Sequence, residues 1–181
     1  MENDMNVRFS RAVTRQLALI DRVLISLGKR AMLENEDFRI DHASAGTYQL
    51  IATIERSGAN ILPCSIYLQG DGLRIDLDHI DEALEWPLRD IEENPKTIQL
   101  FLVNLFRCFV LFDTSNRTII MKLFDMNGHI VEELKIGTVG VFASIRQIEV
   151  KQHLFYPIYP SENPPVENLQ LLGEHGKLAS M

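Results

Sequence analysis

The residues best able to bind a ligand by their chemistry form an acidic cluster near the middle of the chain. Its members are Asp76, Asp78, His79, Asp81 and Glu82. Several oxygen ligands this close together could hold a hard divalent cation. The same residues also suit the first turn of a helix, with Asp78 as the N-cap and Asp81 and Glu82 near the positive end of the helix dipole. Because the spacing matches no known metal motif, the sequence predicts no metal ion here.

Ser26 and Lys29 form a second pattern with chemical meaning, a hydroxyl and an amine one helical turn apart. Such a pair can act as nucleophile and base, but the companion motifs that give the pattern its meaning are absent from the chain. Cys64 has no base near it in the sequence, and the five histidines lack metal-ligand spacing. The chain also lacks phosphate-binding glycine loops and a nucleophile elbow. The sequence therefore predicts no catalytic residue and no cofactor, and it favours a protein that is not an enzyme.

The clearest signal in the sequence is an uneven distribution of charge. The chain has a net charge of −7, whereas residues 8–30 hold six basic side chains and a single acid. Residues 31–181 hold 12 basic and 22 acidic side chains, a net charge of −10. A stripe of basic residues recurs at spacings of 3, 4 and 7, and its members are Arg8, Arg11, Arg15, Arg22 and Lys29. This asymmetry indicates an electrostatic role in meeting a partner, or a solvated helix face paired with the acidic part of the same chain.

An acidic stretch at residues 76–93 is the second predicted contact surface. It holds eight acids against Arg89 alone, and it contains the single tryptophan of the chain. Its predicted partner-binding residues are Asp78, Asp81, Glu82, Glu85 and Trp86. Tryptophan is enriched at the energetic centres of protein interfaces. The alternatives are that the acids form a solvated face and that Trp86 covers a kink at Pro87.

Apolar periodicity predicts the elements that position these residues. Residues 8–33 have the pattern of a long amphipathic helix, whose apolar face comprises Phe9, Val13, Leu17, Ile20, Leu24, Leu27 and Ala31. Strand patterns follow at residues 47–56, 61–69 and 73–77, with Pro63 predicting an edge or bulged strand and Asp71-Gly72 a tight turn. Residues 78–93 and 98–106 are predicted to be helical. Strands are predicted at residues 109–113, 117–125, 129–136 and 141–151, with a hairpin turn at Asn127-Gly128.

These elements predict an α+β fold. We expect a mainly antiparallel sheet of about six or seven strands, built from hairpins, with the N-terminal helix and one or two central helices packed on it. Residues 1–154 are predicted to be one domain, and residues 155–181 a proline-rich extended tail with a disordered end. The aromatic start of that tail, residues 155–160, could lie across its own domain or serve as a ligand for another protein's groove.

Composition suggests where the protein works. Cys64 and Cys108 lie in apolar runs, which predicts buried, unpaired thiols in a reducing compartment. The acidic start lacks the positive region of a signal peptide, and no apolar run is long enough to span a membrane. The expected location is the cytoplasm.

The sequence favours a non-catalytic protein-binding module, such as an adaptor, that acts through the basic helix and the acidic surface. Its size, acidity and hairpin pattern are similar in general character to those of secretion chaperones and toxin-neutralising immunity proteins. This resemblance is one of composition, and it assigns no role to any particular residue. The expected partner is another protein, and charge complementarity also predicts a homodimer. The alternatives are nucleic-acid or phosphate binding by the basic helix, and a small-molecule-binding domain.

Overall fold

The chain forms an α+β structure built from two antiparallel sheets and three α-helices across the described residues. The computed structural model describes residues 10–41, 48–55, 60–77, 82–115, 118–138 and 151–160. The sequence predicts one sheet of six or seven strands, and that expectation is wrong, since the nine described strands divide into a sheet of five and a sheet of four.

The first sheet is a meander in which each strand pairs with the next one along the chain. Its strands are β1 (Phe38–Asp41), β2 (Tyr48–Ile54), β3 (Cys64–Gln69), β4 (Gly72–Leu77) and β5 (Glu82–Pro87). Side chains alternate across the sheet, so Ile66, Ile75 and Leu84 follow one another in register on the buried face. Arg74 and Glu85 form the corresponding exposed pair on the other face.

Two expectations for this sheet are wrong. Residues 82–87 form β5 instead of a helix, because Leu84 and Trp86 alternate with Ala83 and Glu85 and pair with β4. The spacing of Ile80, Leu84 and Leu88 resembles a helical stripe, which explains the wrong prediction. Pro63 does not create an edge strand: β3 begins at the next residue and is flanked by β2 and β4.

The second sheet has the strand order β8, β7, β6, β9. Its strands are β6 (Phe109–Ser115), β7 (Thr118–Phe124), β8 (Ile130–Thr138) and β9 (Lys151–Phe155). The predicted hairpin turn at Asn127-Gly128 joins β7 to β8, and Gly128 has a φ of +79°. Asp125 closes the turn by accepting hydrogen bonds from the backbone N–H groups of Asn127 and His129, at 2.8 and 2.9 Å. Slight burial raises the pKa of Asp125, but these hydrogen bonds outweigh it and leave the pKa below its ordinary value.

The three helices are α1 (Arg11–Ser26), α2 (Leu88–Glu93) and α3 (Pro95–Arg107). Ser10 caps α1 by accepting a hydrogen bond from the N–H of Val13 at 3.3 Å. The sequence predicts that this helix extends to residue 33, but α1 ends at Ser26. It ends there because Gly28 adopts a φ of +72°. A 3-10 turn, Met32–Glu34, follows.

The buried face of α1 is rotated from the predicted one. Its buried residues are Val13, Gln16, Leu19, Ile20, Val23 and Leu24. Gln16 is fully buried and bonds to both backbone groups of Gln69, at the end of β3. Its Nε2 donates to the carbonyl oxygen at 2.7 Å, and its Oε1 accepts from the N–H at 3.2 Å. A polar residue therefore connects α1 to the first sheet.

The start of the predicted tail lies against the domain. Phe155 ends β9 and is buried, as are Ile158 and Tyr159. The N–H of Tyr159 donates to the carbonyl of Phe106 in α3 at 2.8 Å, and the two rings meet edge to face. Asn35 donates to the hydroxyl of Tyr159 at 3.4 Å. Residues 161–181 lie outside the described part of the chain.

Candidate functional site

An open groove lies where β5, α3 and β8 meet. It has a volume of about 360 Å³ and is lined by Leu84, Glu85, Trp86, Thr97, Ile98, Leu100, Phe101, Glu132 and Leu134. Within the described residues β5 is the outermost strand of the first sheet and β8 the outermost strand of the second. Residues of both edge strands therefore line the same groove, together with residues of α3.

The groove presents apolar surface to solvent. Trp86 is partly buried and its ring contacts that of Phe101, with centroids 5.5 Å apart. Leu100 is 62% exposed, although it lies on α3 beside this aromatic pair. Ile130 and Val131 of β8 are also exposed, at 52% and 41%, but they are not among the residues that line the groove. Contiguous apolar surface is typical of contact surfaces, whereas isolated exposed apolar side chains are common on any protein.

Of the described residues that line the groove, the two that carry a charge are both acidic, Glu85 and Glu132. Arg74 lies between Asp76 and Glu85, at 2.5 and 3.1 Å from their carboxylate oxygens. One guanidinium thus faces two carboxylates, and this cluster keeps a net charge of −1. Together with Glu132, it gives the groove a negative rim.

The predicted basic stripe on α1 is partly occupied by contacts within the molecule. Arg15 forms an ion pair with Glu92 of α2, which is one of the acids in the predicted acidic stretch. The ammonium of Lys29 lies 4.9 Å from the centroid of the Tyr159 ring, within the range of a cation–π contact. Arg11 and Arg22 are exposed and have no ion pair with a described residue. Arg8 lies outside the described residues.

Arg15 and Arg22 also line a shallow depression of about 450 Å³ between α1 and α2. Its other lining residues are Ala18, Ile91 and Glu92. Since Arg15 and Glu92 neutralise each other, Arg22 is the one uncompensated charge among these lining residues. This depression therefore offers little to hold a polyanion.

The acidic residues predicted as a contact surface are distributed over several places. Asp78 and Asp81 lie outside the described residues, and Glu82 begins β5. Glu85 and Trp86 are brought together in the groove. In the described part of the chain no group of three or more His, Cys, Asp or Glu side chains could hold a metal ion.

The two candidate nucleophiles are Ser26, whose hydroxyl is hydrogen-bonded, and Cys64, which is buried. The hydroxyl of Ser26 donates to the carbonyl of Val23 at 2.7 Å, and the helix ends at this residue, so Ser26 and Lys29 do not form a nucleophile–base pair. Cys64 and Cys108 are buried and are not joined by a disulfide bond, as the sequence predicts. Burial and the nearby charge of Asp125 raise the pKa of the Cys108 thiol to about 11, despite the opposing effect of Arg107.

Sequence reasoning missed the groove residues outside the acidic stretch, above all Leu100, Phe101, Glu132 and Leu134. Of these, Leu100 could have been identified from the sequence. It lies off the apolar stripe of α3, where a leucine is not needed for packing of the helix. Glu132 and Leu134 lie more than 40 positions from Trp86, and only the packing of β8 near β5 brings them close.

No family model, curated protein or solved structure matches this chain. Within the described residues, no helix combines the length and the apolar character that crossing a membrane requires.

Proposed function

We propose that the protein is a non-catalytic protein-binding module whose partner occupies the groove formed by β5, α3 and β8. The observation that carries this proposal is the exposure of Leu100 beside the aromatic pair of Trp86 and Phe101. Tryptophan is enriched among the few residues that supply most of the binding energy in protein interfaces. A polar rim around an apolar centre is also the usual arrangement of such a surface.

Phosphate binding by the basic helix has weaker support. Two of its predicted residues, Arg15 and Lys29, already contact Glu92 and Tyr159. Binding to nucleic acid depends on several cations that can neutralise phosphates together. Among the described residues of the stripe only Arg11 and Arg22 are exposed without an ion pair or a cation–π contact, a small number for that purpose, so the groove is the better candidate.

The test is capture of partners from the native source with tagged protein, comparing two matched variants. Leu100→Lys places a charge in the groove, whereas Ile25→Lys makes the same change at an equally exposed (62%) position on α1 that does not line the groove. We expect one stoichiometric protein that is retained by the Ile25→Lys variant and lost with Leu100→Lys. Ultraviolet absorbance of the eluate distinguishes protein from nucleic acid.

Equal capture by both variants would contradict the proposal. So would co-elution of nucleic acid that disappears in an Arg11→Glu/Arg22→Glu variant, because the basic helix would then be the binding surface. A failure to capture any protein in a stoichiometric amount would also count against it.

A further inference from the structure

The side chains of β5 alternate in a way that specifies what could lie beside it. Leu84 and Trp86 point to the buried face of the sheet and line the groove, while Glu85 between them belongs to the exposed face with Arg74. Successive residues of a strand are about 3.3 Å apart and face opposite sides. An extended segment running along β5 would therefore meet apolar side chains at Leu84 and Trp86 and a carboxylate between them, at Glu85.

The geometry points to an extended segment of a partner protein, with alternating apolar and basic residues, as the occupant of the groove. This inference rests on the proposed function and adds the chemistry of the partner. Its apolar side chains would contact Leu84, Trp86 and Leu100, and its lysines or arginines would face Glu85 and Glu132. Extended segments that run along an outer strand are a common form of peptide recognition.

Charge complementarity favours this occupant over others. The charged residues that line the groove are both glutamates, and residues 31–181 together have a net charge of −10. A basic segment would be attracted to this surface from a distance, and the attraction would weaken at high salt. An acidic or neutral segment would gain no such attraction.

Trp86 gives a direct measurement, because it is the single tryptophan and lies in the groove. The probe is the capped heptapeptide KIKIKIK, titrated into the full chain while the tryptophan fluorescence is recorded. The control peptides are EIEIEIE, which reverses the charge, and KKKKIII, which keeps the composition without the alternation. We expect KIKIKIK to change the emission and the control peptides to bind at least tenfold more weakly.

A matched pair of variants tests the role of the rim. Glu85→Lys reverses a charge of the groove, and Glu55→Lys reverses an exposed glutamate that also pairs with an arginine but lies outside the groove. We expect Glu85→Lys to weaken KIKIKIK binding about tenfold or more and Glu55→Lys to leave it within twofold. Raising the salt from 50 to 300 mM should weaken binding to the unaltered protein.

Equal binding of EIEIEIE or KKKKIII would overturn the inference, as would the absence of any fluorescence change with KIKIKIK at millimolar concentration. If partner capture still depends on Leu100 in that case, the groove remains the binding site and only the chemistry of its occupant is wrong. If capture does not depend on Leu100, the proposed function itself fails.

Discussion

Gln16 allows a direct test of how α1 is held on the first sheet. Its side chain is fully buried and makes two hydrogen bonds with the backbone of Gln69. Each such bond contributes about 1 kcal/mol net, and a partner left unsatisfied costs about 1–3 kcal/mol where it is buried. Because the Gln69 backbone is only partly buried, we expect Gln16→Ala to lower the free energy of unfolding by about 2–3 kcal/mol.

A second substitution at the same position gives a pH dependence with a defined sign. In Gln16→Glu, an ionised carboxylate would face the carbonyl oxygen of Gln69 in place of a donor, but a protonated carboxyl could both donate and accept as the amide does. The folded state would therefore raise the pKa of this glutamate above about 4.3, its ordinary value. The stabilising effect of the protonated carboxyl is fully present below the pKa of the unfolded state and is lost as the pH rises through the pKa of the folded state. The loss of stability relative to the unaltered protein should therefore be smaller at pH 4 than at pH 7.

The assay is urea unfolding followed by circular dichroism at both pH values. Gln99→Ala serves as the control, because it removes a half-buried glutamine from α3 whose side chain makes no hydrogen bond with another described residue, and it should change stability by less than about 0.5 kcal/mol. If Gln16→Ala costs no more than Gln99→Ala, or if the Gln16→Glu penalty is the same at both pH values, the reasoning is refuted.

Two further predictions concern the core and the first sheet. Because the pKa of Cys108 is raised to about 11 from an ordinary 9.0, the protonated thiol is favoured in the folded state. Stability should therefore fall by about 2 kcal/mol between pH 9 and 11, a loss that Cys108→Ala would not show in urea unfolding at the two pH values. A Cβ at Gly72 would collide with the backbone carbonyl of Trp86, whereas one at Gly70 would meet open space. Gly72→Ala should lower the thermal midpoint by several degrees and Gly70→Ala should not; equal midpoints for the two variants would mean that the close approach between β4 and β5 is not rigid.

Elements whose signals are local could be predicted from the sequence. The hairpin at Asn127-Gly128 has its turn chemistry in adjacent residues, and its strands follow directly. The glycine of Asp71-Gly72 was also correctly placed near a turn, but its role is different from the predicted one. Gly72 has no positive φ and begins β4, where the close approach of β5 requires the absence of a side chain.

Elements whose identity depends on distant partners could not be predicted. The sequence of β5 predicts a helix because its apolar residues fit both the helical period and the strand period. Only pairing with β4 selects the strand. The buried face of α1 includes Gln16, which no scale of hydrophobicity places in a core, because its partner is the backbone of a residue 53 positions away. The division into two sheets likewise depends on packing that no single segment encodes.

The candidate site shows the same distinction. Glu85 and Trp86, two of the residues predicted to bind a partner, are neighbours in the chain and both line the groove. The acidic stretch was expected to act as one surface, but Glu92 faces α1 while Glu85 faces the groove. A strand and a helix orient their side chains differently, so the error in the secondary structure of residues 82–87 became an error in the site.

Tyr159 has a consequence for how the protein is made. It contacts Lys29, Asn35 and Phe106, so a residue near the end of the described chain contacts α3 and the segment that follows α1, in one case across 124 positions. On the ribosome, both sheets and all three described helices emerge before this residue does. Until Tyr159 is synthesised, the ring of Phe106 lacks this aromatic contact. The core of the nascent chain is therefore incomplete until a contact between residues far apart in the sequence can form. Messages that end before this codon would yield chains exposed to chaperones and proteases.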